Sequence, residues 1–198
     1  MSSHFSMDKC MAAEAMVPVE VVRTLLDYDP DIGHLIWRKR LNRNFNSKYA
    51  GTIAGAKHRS GAIQIQLTTD LIQRLFWAHR IAWAHFHGYW PLGLIDHRDG
   101  NPTNNRIQNL RPADGSQNGA NKRELRGAIA LRGVYQWKDG RYAAQIKCQG
   151  KWEWLGLYED ALDAARAYDS AAVRLHGEFA VTNVSMGLFK KYAVEALA

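Results

Sequence analysis

Apolar residues in the first third of the chain come in short groups broken by turn formers. From Pro18, the stretch VEVVRTLLDYDP puts Val22, Leu25 and Leu26 at helical spacing. Proline disfavours the α region in the residue before it, so Asp29-Pro30 is read as the stop of this helix. Brief alternating, β-rich pieces follow at 34–38, 52–56 and 62–68, punctuated by Gly33, Gly51, Gly55 and Gly61, which predicts a small antiparallel sheet. Over 72–87, Leu75, Ala78, Ile81, Ala82, Trp83 and Phe86 lie on or near one helical stripe that ends at Gly88, which predicts one helix with most of those side chains in the core. His79, His85 and His87 share that stretch without a nearby carboxylate, so packing or phosphate contact explains them better than metal binding.

A short apolar strand then leads into Asp96 and His97, followed by the turn-rich loop RDGNPTNN and a polar helical segment. Beyond 131 the pattern returns to period two. LRGVYQW and RYAAQIKC flank a turn at Lys138–Gly140, and KWEWLGLY follows Gly150. Residues 159–176 then place Ala161, Ala164, Ala165, Tyr168, Ala171, Ala172 and Leu175 at helical spacing, small enough to lie close to a sheet. On the second strand Tyr142, Ala144 and Ile146 face this helix, and Arg141, Ala143, Gln145 and Lys147 face away. The outer face would carry Tyr135, Trp137, Arg141, Gln145, Lys147, Trp152 and Trp154, a mixture of cations, amide and aromatics suited to reading a nucleic-acid groove.

Charge sharpens this picture. The net +7 is unevenly spread: residues 1–35 carry two Lys/Arg against six Asp/Glu, residues 36–126 fifteen against five, and residues 127–198 nine against eight. The basic middle, with Trp37, Arg38, Lys39, Arg40, Arg43, Phe45, Lys48 and Tyr49 interleaving cations and rings, suits phosphate contacts. No apolar run approaches the roughly 18–20 residues that span a bilayer, and MSSHFSMDKC lacks the basic-then-apolar pattern of a secretory signal, so a soluble, cytoplasmic protein is expected. Cys10 and Cys148 cannot make a zinc quartet, which leaves oxygen and imidazole as metal ligands. The first sixteen residues, with four methionines and no apolar period, are read as a disordered leader.

Four blocks of the middle segment stand at fixed spacing: HRIAWAHFHGYWP, IDHRDGN, NNRIQNLR and SQNGANK, with eleven residues between His97 and Asn109 and eight between Asn109 and Asn118. In order and spacing they resemble the HNH endonucleases of the phage and intron-encoded group, in the variant that ends on Asn. The resemblance implies a ββα-metal fold, in which two short strands and a helix hold one divalent ion, Mg2+ or Mn2+, against the scissile phosphate. It assigns Asp96 and Asn118 as hard oxygen ligands, with Asn121 in reserve, His97 as the base that activates water, and Asn109 as the residue that holds the loop. The C-terminal segment resembles the APETALA-type (ethylene-response-factor) DNA-binding domain through RGV, the AAQI strand, WLG, the AARAYDSAA helix and Asn183. In that family the sheet lies in the major groove, and the matching positions are Arg132, Tyr135, Trp137, Arg141, Gln145, Lys147, Trp152 and Trp154. Tyr135, Trp137 and Trp152 stand where the plant proteins carry arginine, so base preference does not carry over.

Together these readings predict an α+β chain: a leader (1–16), an HNH nuclease domain with a small N-terminal sheet (17–126), a linker (127–130), a three-stranded antiparallel sheet packed on one helix (131–185), and a tail (186–198). The function expected is metal-dependent hydrolysis of double-stranded DNA to 5′-phosphate and 3′-hydroxyl ends, nick or double-strand break, at a site chosen by the C-terminal domain. The resemblance further implies a phage or mobile-element homing-type enzyme acting in the cytoplasm of a bacterial host, with no obligate protein partner. The rival reading is a sequence-specific DNA-binding regulator whose nuclease half is inactive.

Overall fold

The computed structural model describes residues 14, 16–69, 73–125 and 129–195. Most of the expected leader, residues 127 and 128 of the expected linker, and the last three residues of the tail lie outside the described residues. The chain is mixed α and β, with short helices alternating with small sheets, and divides into two compact units, Met1–Pro112 and Ala113–Ala198.

In the first unit, α1 (Val19–Leu25) gives way directly to β1 (Leu26–Asp29), which pairs antiparallel with β2 (His34–Trp37). The sequence reading carried the helix up to Asp29. Instead the backbone turns extended at Leu26, where pairing with Trp37 satisfies a main chain that a short helix would leave open. Strand β2 is extended by a bridge from Ile36 to Ile53. The basic loop between them contains a short helix, α2 (Arg43–Tyr49), capped by Asn42, whose side chain accepts from the Phe45 amide at 2.9 Å. There the Arg40 guanidinium lies over the Trp37 and Phe45 rings, 4.8 and 4.0 Å from their centroids.

A second sheet runs β3 (Ala56–Lys57), β4 (Ile63–Thr68), β5 (Gln73–Trp77). Residues 73–77 were expected to open the next helix. They pair with β4 instead, Ile65 opposite Phe76, and the helix α3 (Ala78–His87) begins only at Ala78. Leu75 and Phe86, placed in the core by the helical stripe, are exposed, whereas Phe76, off that stripe, is buried. QRLFW satisfies both periods locally, and the partner strand decides. Helix α3 ends on Gly88 in the left-handed conformation. Its apolar face joins Val22, Leu26, Ile65, Leu67 and Phe76 in one core.

One polar residue in that core acts as a staple. Arg80, 4% exposed, donates to both oxygens of Glu14 at 2.5 and 2.7 Å and to the carbonyls of Pro91 (2.8 Å) and Gly93 (2.5 Å). Glu14 belongs to the stretch expected to be disordered, yet it is buried against this guanidinium. The 91–93 turn that Arg80 holds leads into β6 (Leu94–His97), which pairs with β7 (Leu110–Ala113).

The second unit opens with α4 (Gly115–Ala120) and continues with the sheet β8 (Val134–Gln136), β9 (Tyr142–Cys148), β10 (Lys151–Tyr158), in the spatial order β10-β9-β8. All pairs are antiparallel, as the alternation predicts, and a bulge falls between Trp154 and Gly156. The long helix α5 (Ala161–His176), capped by Asp160, lays Ala161, Ala164 and Ala165 against Val134 and Ala144. Gly133 is where helix and sheet come closest: it has φ +75, and a Cβ there would stand 1.9 Å from the Tyr168 ring. The tail is structured through α6 (Leu188–Glu195), with Leu188 buried and Met186, Phe189 and Tyr192 packed against the same core. Among the described residues no helix is long and apolar enough to cross a membrane.

Candidate active site and nucleic-acid interface

Strand β6 carries Asp96 and His97 in succession, so their side chains leave opposite faces, both nearly closed to solvent at 4% and 9% exposure. Their neighbours differ. Asp96 Oδ2 accepts from Arg111 Nε on the facing strand β7 at 2.9 Å, an ion pair that orients the carboxylate. His97 Nε2 lies 3.0 Å from Asn105 Oδ1. An amide oxygen only accepts, so this contact is a hydrogen bond from Nε2–H that fixes the orientation of the ring.

Asn105 was not singled out in the sequence, where it is one of several asparagines in a turn. Its placement depends on the distant β1–β2 hairpin. Tyr28 Oη donates to the Asn105 carbonyl at 2.7 Å, and the Ile107 amide donates to the Pro30 carbonyl at 3.1 Å. Gly33 (φ +78) packs so closely that a Cβ would lie 2.4 Å from the Arg106 nitrogen. Asn105 itself is 4% exposed. A hairpin about seventy residues upstream in sequence thus fixes the amide that orients His97.

Asn109 ends a 3-10 turn and ties the loop that follows His97. Its Nδ2 donates to Asp99 Oδ1 at 3.0 Å and to the Asn104 carbonyl at 2.8 Å, while its Oδ1 accepts from the Asp99 amide at 3.1 Å. Its carbonyl accepts from the Arg98 amide at 2.8 Å, joining it to the residue after His97. Burial pushes the Asp99 carboxyl up, but hydrogen bonds from Asn104, the Asn101 amide and Asn109 outweigh this and hold it below the usual carboxylate range.

His79, read from sequence as packing or phosphate contact, stands edge-on to His97 with ring centroids 5.1 Å apart. Its Nδ1 is buried with no hydrogen-bond partner among the described residues. Burial, with smaller contributions from His97 and Arg80, lowers its pKa to about 3, so the ring stays neutral.

Asp96, His97 and Asn109 therefore come together in the first unit. Asn118 is half-exposed on α4 in the second unit, and Asn121, the reserve residue, closes that helix and is buried. Among the described residues no group of three or more His, Cys, Asp or Glu is placed to hold a metal ion. A hard divalent ion does not need one. Mg2+ is commonly held by one or two carboxylates with water and phosphate oxygens completing its shell, and the carboxylate of Asp96, with Oδ2 turned to Arg111, is a donor of that class.

On the second unit's sheet, Tyr135, Trp137 and Trp154 form a cluster, with centroids 5.4 to 6.4 Å apart. Cross-strand pairing sets Trp154 opposite Gln145 and Trp152 opposite Lys147, whose ammonium lies 5.6 Å from the Trp152 ring. Trp137, Trp152 and Trp154 are 38%, 63% and 50% exposed, an uncommon amount of indole surface on one sheet. Arg141 is half-buried and paired with Asp139 at 2.7 Å. Arg132 is placed differently from the rest of the expected set. Its Nε donates to Tyr168 Oη and its Nη2 to the Ala120 carbonyl, both at 2.8 Å, and Nη1 donates to the Lys122 carbonyl.

The HNH endonuclease family profile matches residues 76–120, from the end of β5 through α4. The chain is also 43% identical over 74 residues to an APETALA2-like protein 2 of rice (Oryza sativa subsp. indica), covering 36% of this chain and 16% of that protein. It is 48% identical over 58 residues to the ethylene-responsive transcription factor ERF069 of Arabidopsis thaliana (27% and 36%), and 44% identical over 75 residues to ethylene-responsive transcription factor 3 of Nicotiana tabacum (36% and 32%). The chain thus spans about a third or less of the length of these relatives. Both parts of the composite read from the sequence are found: an HNH endonuclease match over residues 76–120, and a stretch similar to plant APETALA2-like and ethylene-responsive factors.

Proposed function

We propose that this protein is an endonuclease that hydrolyses phosphodiester bonds of double-stranded DNA, at sites selected by its C-terminal module. The observation that carries this reading is the orientation of His97. Its Nε2 is held by Asn105 Oδ1, and it directly follows the buried Asp96 on β6, within the segment matched by the HNH family. His97 takes the proton from the attacking water. Asn109 keeps the loop after His97 closed through Asp99 and Asn104. Asp96, oriented by Arg111, supplies an anionic oxygen, and Asn118 a neutral one, assigned by its spacing from Asn109. A divalent ion, Mg2+ or Mn2+, held by these oxygens would polarise the phosphate and stabilise charge on the leaving 3′-oxygen. The products are 5′-phosphate and 3′-hydroxyl ends.

The functional division falls later than the division by contacts. Because the family match runs past Pro112 to residue 120, we take the nuclease as 17–126, with its β6, β7 and α4 as the ββα-metal unit, and the DNA-reading module as 131–185. Tyr135, Trp137, Arg141, Gln145, Lys147, Trp152 and Trp154 form the reading face. The aromatic cluster and its flanking cation support contact with base edges and backbone together. A phage or mobile-element origin accords with the motif variant.

Incubation with supercoiled plasmid tests the activity. Nicked or linear product is expected with Mg2+ or Mn2+ and none with excess chelator. Binding without cutting under every condition would favour a DNA-binding regulator.

A further inference from the structure

Helix α4 has little reason to be a helix on its own. Its six residues, GSQNGA, include two glycines, each costing about 1 kcal/mol relative to alanine, and the segment is far shorter than isolated helices that persist in water. It has a capping box of Asp114 and Gln117. Beyond that, it is gripped at both ends by the C-terminal module. At its start, Gln149 donates its backbone N–H to Ser116 Oγ at 3.0 Å and its side-chain Nε2 to Asp114 Oδ2 at 3.4 Å. Gln149 sits in the β9–β10 turn at φ +48, a left-handed conformation that only glycines otherwise adopt among the described residues. At the other end, Arg132 binds the carbonyls of Ala120 and Lys122, acceptors that a helix end leaves unpaired. Arg132 is itself fixed by Tyr168 Oη at 2.8 Å and, through its backbone N–H, by Asn183 Oδ1 at 2.6 Å.

Between the two grips lies an open cleft of about 850 Å3, lined from the helix by Gly115 and Gly119 and from the sheet by Gln145, Lys147 and Trp152. Helix α4 also lies against α5 and the 177–179 turn, and the hydrogen bonds that fix its two ends come from Gln149 and Arg132. Both end contacts come from the sheet with the exposed tryptophans: Arg132 stands two residues before β8, and Gln149 joins β9 to β10. Yet the sequence of α4 lies inside the HNH match.

We propose that the C-terminal module, besides choosing the DNA site, holds Asn118 in place for cleavage, with Arg132 and Gln149 as positioning residues. This rests on the nuclease reading above. Lys147 and Trp152 line the cleft beside α4 and also belong to the reading face.

The test uses the full chain carrying Arg132→Ala, Arg132→Lys or Ser116→Ala. Cleavage of supercoiled plasmid is followed at saturating protein with Mn2+, and binding of a linear plasmid fragment is measured in chelator. Hydrogen exchange of residues 115–121 is read alongside. Arg132→Ala and Ser116→Ala are expected to slow cleavage by about tenfold or more. Fragment affinity should stay within about twofold, because these residues touch α4 and not the reading face, and α4 amides should exchange faster. Arg132→Lys should recover part of the rate by reaching one carbonyl. A parallel loss of rate and affinity in Arg132→Ala would make Arg132 a DNA contact and overturn the proposal, as would unchanged rates in both alanine variants. Wild type that binds but never cuts would remove the nuclease reading itself, a separate outcome.

Discussion

The His97 imidazole and the Asn105 side-chain amide meet at 3.0 Å, Nε2 donating to Oδ1, with both residues almost closed to solvent. This contact fixes the orientation of the His97 ring. Asn105→Ala should therefore lower the single-turnover cleavage rate by about 10–100-fold with little change in DNA affinity. Tyr28→Phe, which frees the Asn105 carbonyl and leaves its side chain, should have a smaller effect in the same direction. Equal rates in wild type and Asn105→Ala would show that the base needs no such orientation.

Asn109 makes three side-chain hydrogen bonds within the loop after His97, two of them to Asp99. Asn109→Ala removes these bonds, two of them exposed to water, at a cost of about 0.5–1.5 kcal/mol in stability. Urea unfolding should show this loss together with reduced cleavage. Full stability with full activity would remove Asn109 from the site.

Protonation of His79 opposes folding. Its folded pKa of about 3 lies below the ordinary value of 6.5, so between those limits the unfolded chain binds the extra proton. The neutral ring's contribution is complete above about pH 6.5 and is lost as pH falls toward 3, by at most about 1.4 kcal/mol per unit. Urea melts from pH 7 to pH 4 should show a shallower loss in His79→Phe than in wild type. Identical slopes would mean that His79 is not buried as a neutral ring.

Gly133 lies in the RGV block, with φ +75 and the Tyr168 ring where a Cβ would go. Gly133→Ala should destabilise the C-terminal module by about 2–4 kcal/mol through backbone strain and displacement of Tyr168. Thermal melts check this. Trp154→Ala, on the exposed face, should instead leave the melt unchanged and weaken site-specific binding roughly tenfold or more, with less effect on the chemical step.

The legible parts of the chain were those whose structure is set locally. The strands around Lys138–Gly140, the alanine-rich helix of 159–176 and the strand ending at His97 each carry their own period and turn residues. Gln73–Trp77 was misread as helix because its apolar spacing serves either structure, and the choice is made by hydrogen bonding to Ile63–Thr68. Asn105 could not be distinguished among its neighbouring asparagines, since its role comes from Tyr28, 77 residues away. Arg132 was grouped with the reading face by its place in the motif, and its bonds to Tyr168 and Ala120 depend on how the helices fold back. Glu14 lies in a leader without an obvious period and α6 in the expected tail, and what orders them is Arg80 in one case and the second core in the other.

The central claim is that His97 is the base of a metal-dependent nuclease. It is tested most directly by comparing wild type and His97→Ala on supercoiled plasmid with Mg2+ or Mn2+, while measuring binding to the same DNA in chelator. Wild type alone should give relaxed or linear product, with binding preserved in the variant. Undiminished cleavage by His97→Ala would contradict it.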